Sequence, residues 1–282
     1  MAFDLFQSVV VINLAERTDR RADTERELGK ISCQNAEFFP AVKPRSAGKF
    51  GGIGECGCYM SHLNVLKASV HKQNVLVLED DVRFHHQFGS AAAFLDQLGQ
   101  DWDVIYFGYG QLPSYERQIF DAAKDGHGAM TRAVMPSKVT SSGRGFARID
   151  SAIELLGAHC YAVNGPAMPK LIERLELFLT RPRGHSDGGP MPVDGALNVA
   201  RRQLGLRTVI AVPTIAYRRA SKSDLTANRW FDRVPLLSGV AYRLRMIRNA
   251  AVVARERPIL QQFRADVSSK MHVAANEVRS GK

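Results

Sequence analysis

VLVLEDD, residues 75–81, runs four apolar side chains, Val75 to Leu78, straight into Glu79, Asp80 and Asp81. An apolar run of this length without polar alternation reads as a strand buried on both faces, as in a parallel sheet covered by helices. The three carboxylates then lie at the strand's carboxyl end, where open α/β sheets bind their ligands. Working outward, SVVVINL at residues 8–14 is a second such strand and the start of the sheet. Between the two, Asp19 to Leu28 reads as a short polar helix stopped by Gly29, and Phe38 to Val42 as an extended piece broken by Pro40. Gly48, Gly51, Gly52 and Gly54 make a loop, and Tyr59, Leu63, Leu66 and Val70 recur at helical spacing within Glu55 to His71.

The alternation continues downstream. Phe88, Ala92 and Leu95 mark a helix, Asp103 to Phe107 a strand, Ala158 to Val163 a strand, and Asn164-Gly165-Pro166 the start of a helix through Leu179. Asp194 is placed to cap a helix running to Leu204 and closed by Gly205, and Arg207 to Val212 is a last strand. Residues 109–150, rich in Gly, Pro and Ser, and Arg181 to Pro192 read as loops around a cleft. Strands alternating with helices predict an α/β fold with a mainly parallel central sheet. Residues 1–234 are expected to form this domain and residues 235–282 a basic helical tail, with Leu236, Leu237, Val240, Leu244, Ile247 and Ala251 on one side and arginines towards the other.

The 282 residues, 45% hydrophobic, are enough to bury a full core. Cys33, Cys56, Cys58 and Cys160 are too few and too oddly spaced for a disulfide framework or a four-ligand zinc site, so they are expected as reduced thiols. The sequence holds no apolar run long enough to cross a bilayer, and the Met1 start lacks the regions of a secretory signal. A cytoplasmic location is therefore expected, peripheral on the inner face of the inner membrane if the tail binds lipid. The net charge of +10 favours an anionic partner: a phosphorylated substrate, an anionic membrane surface or nucleic acid. Recognisable helix-turn-helix, zinc and RNA-binding signatures are missing, so nucleic acid is not the expected partner.

Three adjacent carboxylates repel one another unless a cation neutralises them. As hard oxygen ligands they suit Mn²⁺ or Mg²⁺, whose shell a nucleotide diphosphate would complete; the alternative is a solvated acidic turn. Arg17, Arg20 and Arg21 follow the first strand at its carboxyl end and either reach phosphates or face solvent. Ser61 and His62 lie on the helix after the glycine loop, where a histidine is commonly a packing residue. Sugar transfer needs a base for the acceptor hydroxyl, and a pair of carboxylates could instead serve glycoside hydrolysis without a nucleotide.

Taken in order, four elements resemble glycosyltransferase family 25, a group of bacterial lipooligosaccharide galactosyltransferases that also includes animal collagen galactosyltransferases. They are Val11-Ile12-Asn13-Leu14 with Arg17, Asp19, Arg20 and Arg21; Gly54-Glu55-Cys56-Gly57-Cys58 with Ser61-His62; Leu78-Glu79-Asp80-Asp81; and Pro192-Val193-Asp194. The likeness is dense from Val9 to Val82 and thinner to about Val212. It implies the nucleotide-binding fold called GT-A, a Mn²⁺-assisted acidic motif, and inversion at the anomeric carbon by a single displacement. The donor implied is UDP-galactose and the acceptor a lipopolysaccharide-type or lipid-linked saccharide. Carried onto this chain, Asp81 with Glu79 would hold the metal. Asn13, Arg17, Arg20, Glu55, Ser61, His62, Glu79 and Asp80 would belong to the donor site, and Asp194 would be the base. Gly157-Ala158-His159-Cys160-Tyr161 departs from the family pattern, and Gln111 to Arg148 matches none of it. An inactive relative that only binds nucleotide sugar is the alternative within the resemblance.

Overall fold

A computed structural model describes residues 6–85, 88, 101–110, 145–151, 153–212 and 214–219. The expected helix around Ala92 and Leu95, the segment 111–144 and the tail 235–282 lie outside the described residues. The described chain runs β1 (Ser8–Asn13), α1 (Thr18–Lys30), β2 (Ala36–Pro40), α2 (Ile53–Ala68), β3 (Asn74–Glu79), β4 (Val82–Phe84), β5 (Val104–Gly108), β6 (Gly145–Ile149) and β7 (Cys160–Asn164). A 3₁₀ turn at Gly165–Ala167 leads into α3 (Met168–Thr180), followed by α4 (Val193–Leu204), β8 (Thr208–Val212) and β9 (Ala216–Arg218).

Seven strands form one sheet in the order β2-β1-β3-β7-β5-β8-β6. The pairs β1–β2, β1–β3 and β5–β8 are parallel, whereas β7 runs against both β3 and β5, and β6 against β8. Five strands thus share a direction and β7 and β6 oppose it: the sheet is mixed. Apolar strands read alike in either direction, because the connections and not the strand residues set the sense of each run.

Side-chain alternation divides the core between two faces. Val10, Ile12, Val75, Val77, Tyr106 and Tyr161 pack with α2, α3 and α4 on one face. Val9, Val11, Leu76, Leu78, Phe107 and Cys160 pack on the other face with Leu28 from α1, Trp102 and Phe88. With both faces covered, β1 and β3 carry continuous apolar runs.

Three expectations change, and one element is new. α1 continues through Gly29 to Lys30, and the left-handed turn after it falls on Ser32, φ 55°. Residues 109–150 are not loop throughout, since β6 lies in them and pairs with β8 from Gly145 to Ile149. Asp194 is not the cap of α4; Pro192 holds that position, and Asp194 stands in the first turn with its side chain turned to Gly157. Finally, β4 and β9 form a separate two-stranded ladder, Val82 opposite Arg218, that three-residue strands did not announce. The four cysteines are free thiols, Cys33 and Cys160 buried and Cys56 and Cys58 half-buried.

Candidate active site

Ending β3 at Glu79 delivers the carboxylates to the sheet edge where β1 ends in Asn13 and α1 begins. Asp80 is held from both sides: Arg20 Nη1 donates to its Oδ1 at 2.7 Å and Asn13 Nδ2 to its Oδ2 at 2.8 Å. Thr24 Oγ1 donates to the Asp80 carbonyl at 2.8 Å. The Arg20–Asp80 pair is buried, its side chains 10% and 9% exposed. Asp80, Asn13 and Arg20 therefore form a strut that fixes α1 to the end of β3.

Glu79 and Asp81 meet a cation from far along the chain. The β4–β9 ladder places Arg218 between them, donating through Nη2 to Glu79 Oε2 at 3.0 Å and through Nε to Asp81 Oδ2 at 3.1 Å. Burial pushes the Glu79 carboxyl up, but Arg218, then His62 and His159, outweigh it and hold Glu79 below the usual carboxylate range. At Asp81 burial prevails: the carboxyl is raised, with Glu79 and Asp80 adding to it and Arg218 and Arg20 opposing it. Asp81 Oδ1 is buried with no hydrogen-bond partner among the described residues.

On α2, Ser61 Oγ donates to the Gly57 carbonyl at 2.6 Å and accepts from Val42 N at 2.8 Å, tying the segment after β2 to the helix. His62 is 1% exposed and stacks on Tyr161, with Nδ1 3.0 Å from the Tyr161 hydroxyl and Nε2 3.5 Å from Glu79 Oε1. The last separation exceeds that of a sound hydrogen bond.

These elements surround a cleft of about 250 Å³. Its lining is partly apolar, from Ile12, Leu14, Ala41, Val42, Pro44 and Ile53, and partly charged or polar, from Arg20, Lys43, Glu79, Asp80 and Arg218 with Cys58, Ser61 and His62. Five expected site residues are not among the lining. Asn13 donates to Asp80, and Asp81 accepts from Arg218. Arg17 pairs with Asp19 at the start of α1. Glu55 turns to Gly51 N and lies 3.8 Å from Arg183. Asp194 accepts from Gly157 N through Oδ2 and from Gly195 N through Oδ1, each at 2.9 Å; its neighbours Val193, Ala196 and Leu197 pack on the same face of the sheet as α2.

Two donor sets bear on a metal. The expected pair of Glu79 and Asp81 comes together, but Arg218 spans it, so a hard cation bound by both carboxylates requires that guanidinium to move. Cys58, His62 and Glu79 offer ligand atoms within 4.8 Å of one another. Sequence reasoning missed Arg218, Cys58, Tyr161 and Lys43. For Arg218 the only local signal is the run Arg218-Arg219, which charge alone does not distinguish from other basic pairs.

The chain is 32% identical to procollagen galactosyltransferase 2 of Homo sapiens over 36% of its own length and 21% of the relative's. It is 33% identical to a glycosyltransferase 25 family member of Drosophila melanogaster over 37% and 21%, and 29% identical to the human inactive glycosyltransferase 25 family member 3 over 38% and 22%. It thus spans about a fifth of the length of these relatives. The family model described as glycosyltransferase family 25 (LPS biosynthesis protein) matches residues 6–194, well over half of the 282, and takes in Asn13, the α2 signature, Glu79 to Asp81 and Asp194: the chain belongs to glycosyltransferase family 25.

Proposed function

We propose that the protein transfers a hexose, galactose from UDP-galactose, to a saccharide of the lipopolysaccharide type with inversion at the anomeric carbon. The observation that carries this reading is the cleft at the carboxyl ends of β1, β2 and β3, whose lining combines apolar side chains with Arg20, Lys43, Arg218 and the carboxylates of Glu79 and Asp80. A flat base fits against the apolar side chains, while the diphosphate meets Lys43 and Arg218. The cavity is smaller than a whole nucleotide sugar requires, so the sugar would project outward to meet the acceptor.

Departure of the nucleoside diphosphate builds negative charge, and a guanidinium fixed by two carboxylates needs little reorganisation to meet it. Arg218 is such a group. Asp194, its side chain fixed by two backbone N–H groups at the start of α4, is the proposed base that takes the acceptor hydroxyl proton as the glycosidic bond breaks. Asp80, Asn13 and Arg20 act behind them as the scaffold. As arranged, Glu79 and Asp81 are not a hard-cation cage, so none of these roles passes through Mn²⁺ or Mg²⁺.

Arg218 between Glu79 and Asp81 also favours a second reading, a relative that binds nucleotide sugar without transferring it. A thermal-shift panel of nucleotide sugars, with and without Mn²⁺, followed by turnover with the best donor, separates the two. UDP-galactose is expected to raise the melting temperature and support transfer. Binding without turnover selects the second reading, and no shift with any nucleotide sugar overturns both.

A further inference from the structure

Three donor atoms of different chemistry converge on the cleft wall. Cys58 and His62 lie four residues apart on α2, hence on one face, and Glu79 is the last residue of β3. The Cys58 sulfur, a His62 ring nitrogen and a Glu79 carboxylate oxygen all fall within 4.8 Å of one another. His62, 1% exposed, has no hydrogen-bond partner at Nε2 among the described residues. That nitrogen lies 3.5 Å from Glu79 Oε1. Nitrogen and oxygen ligands each about 2.0–2.1 Å from one tetrahedral ion stand roughly 3.3–3.4 Å apart. The separation is long for a hydrogen bond and close to that of two ligands sharing an ion.

The surroundings complete such a site. The Tyr161 hydroxyl, 3.0 Å from Nδ1, fixes the imidazole plane as an outer-shell partner does. Arg218 takes the other oxygen of Glu79, Oε2, at 3.0 Å, leaving Oε1 for an ion. Thiolate, imidazole and carboxylate together suit a borderline cation, whereas Mg²⁺ and Mn²⁺ prefer an all-oxygen shell. We propose that Cys58, His62 and Glu79 bind one divalent cation of the zinc class, with a fourth position open to the cleft. Cys58 gives up its thiol proton to solvent on binding. This donor set shares only Glu79 with the pair that Arg218 bridges, and it stands whether or not the protein transfers sugar.

The test uses the full chain, stripped with a chelator and titrated with Co²⁺ as a spectroscopic probe, then with Zn²⁺ and Mn²⁺ in competition. One equivalent of Co²⁺ is expected, with a thiolate-to-cobalt charge-transfer band that Zn²⁺ abolishes and Mn²⁺ does not. Cys58→Ser loses the band, while Cys56→Ser, two residues away and on a different face of α2, keeps it. Tyr161→Phe keeps the band but binds Zn²⁺ about 10- to 100-fold more weakly. His62→Asn is the second ligand variant should Cys58→Ser fold poorly, and circular dichroism melting establishes that each variant is folded. Absence of the band from the native chain, its persistence in folded Cys58→Ser or His62→Asn, or equal competition by Mn²⁺ overturns the proposal.

Discussion

Both oxygens of Asp80 are bound inside the protein, by Arg20 and Asn13. Removing one partner of a buried pair strands the other, at a cost of about 3–5 kcal/mol. Arg20→Met is accordingly expected to lower unfolding free energy by that amount in urea denaturation. Lys67→Met, on a pair with Glu176 that is about half exposed, should cost less than about 1 kcal/mol. If the two variants lose stability equally, the strut has been misread. Asp194 makes a different demand, since its neighbours are backbone N–H groups and its proposed task is proton transfer. Asp194→Asn should leave UDP-galactose binding intact and lower kcat by about 10²- to 10⁴-fold. Weaker folding with unchanged specific activity would show that its bond to Gly157 is its whole role.

At the level of elements, the cleft depends on how closely α2 approaches the segment after β2. A Cβ on Gly57 would meet the Val42 carbonyl at 2.6 Å, so α2 can lie this close only over a glycine. Gly57→Ala should cost about 1–3 kcal/mol by overpacking and raise the donor KM more than it lowers kcat; steady-state kinetics with varied donor checks this. Across the sheet, Arg207 binds Asp101 and Asp103 ahead of β5, and Arg148 of β6 binds Asp101. Hydrogen bonds from Arg148 and Arg207 hold Asp101 low; at Asp103 burial pushes upward but the Arg207 bonds outweigh it. Depressed folded values mean that the unfolded chain binds more protons in acid. The stability these groups supply is thus present above the ordinary carboxylate value and is lost as pH falls below about 4. Arg207→Gln should flatten that acid slope in denaturant midpoints taken across pH, and an unchanged slope would remove these carboxylates from the account.

For the whole molecule, the net charge of +10 sets the long-range behaviour. Among the described residues no helix is long and apolar enough to cross a membrane. With that charge, attraction to an anionic surface should weaken with salt: co-sedimentation with anionic vesicles is expected at low salt, fading as ionic strength passes about 0.15 M, and absent with neutral vesicles. Binding to both vesicle types, indifferent to salt, would rule out this surface role. By itself the sequence determined the strands β1, β3, β5 and β8, the approximate extents of α2 and α3, and the carboxylates at the end of β3. Those features rest on local apolar runs, on helical spacing and on chain breakers, all contained within a few residues. Only the tertiary structure decided that β7 runs against its neighbours, that β6 is a strand, and that Asp80 is a scaffold while Glu79 and Asp81 share a cation. Arg218 reaches Asp81 across 137 positions of sequence, through a β4–β9 ladder of three residues a side. Its charge acquires meaning only when burial removes water from between the partners, and no local pattern records which distant residue that will be.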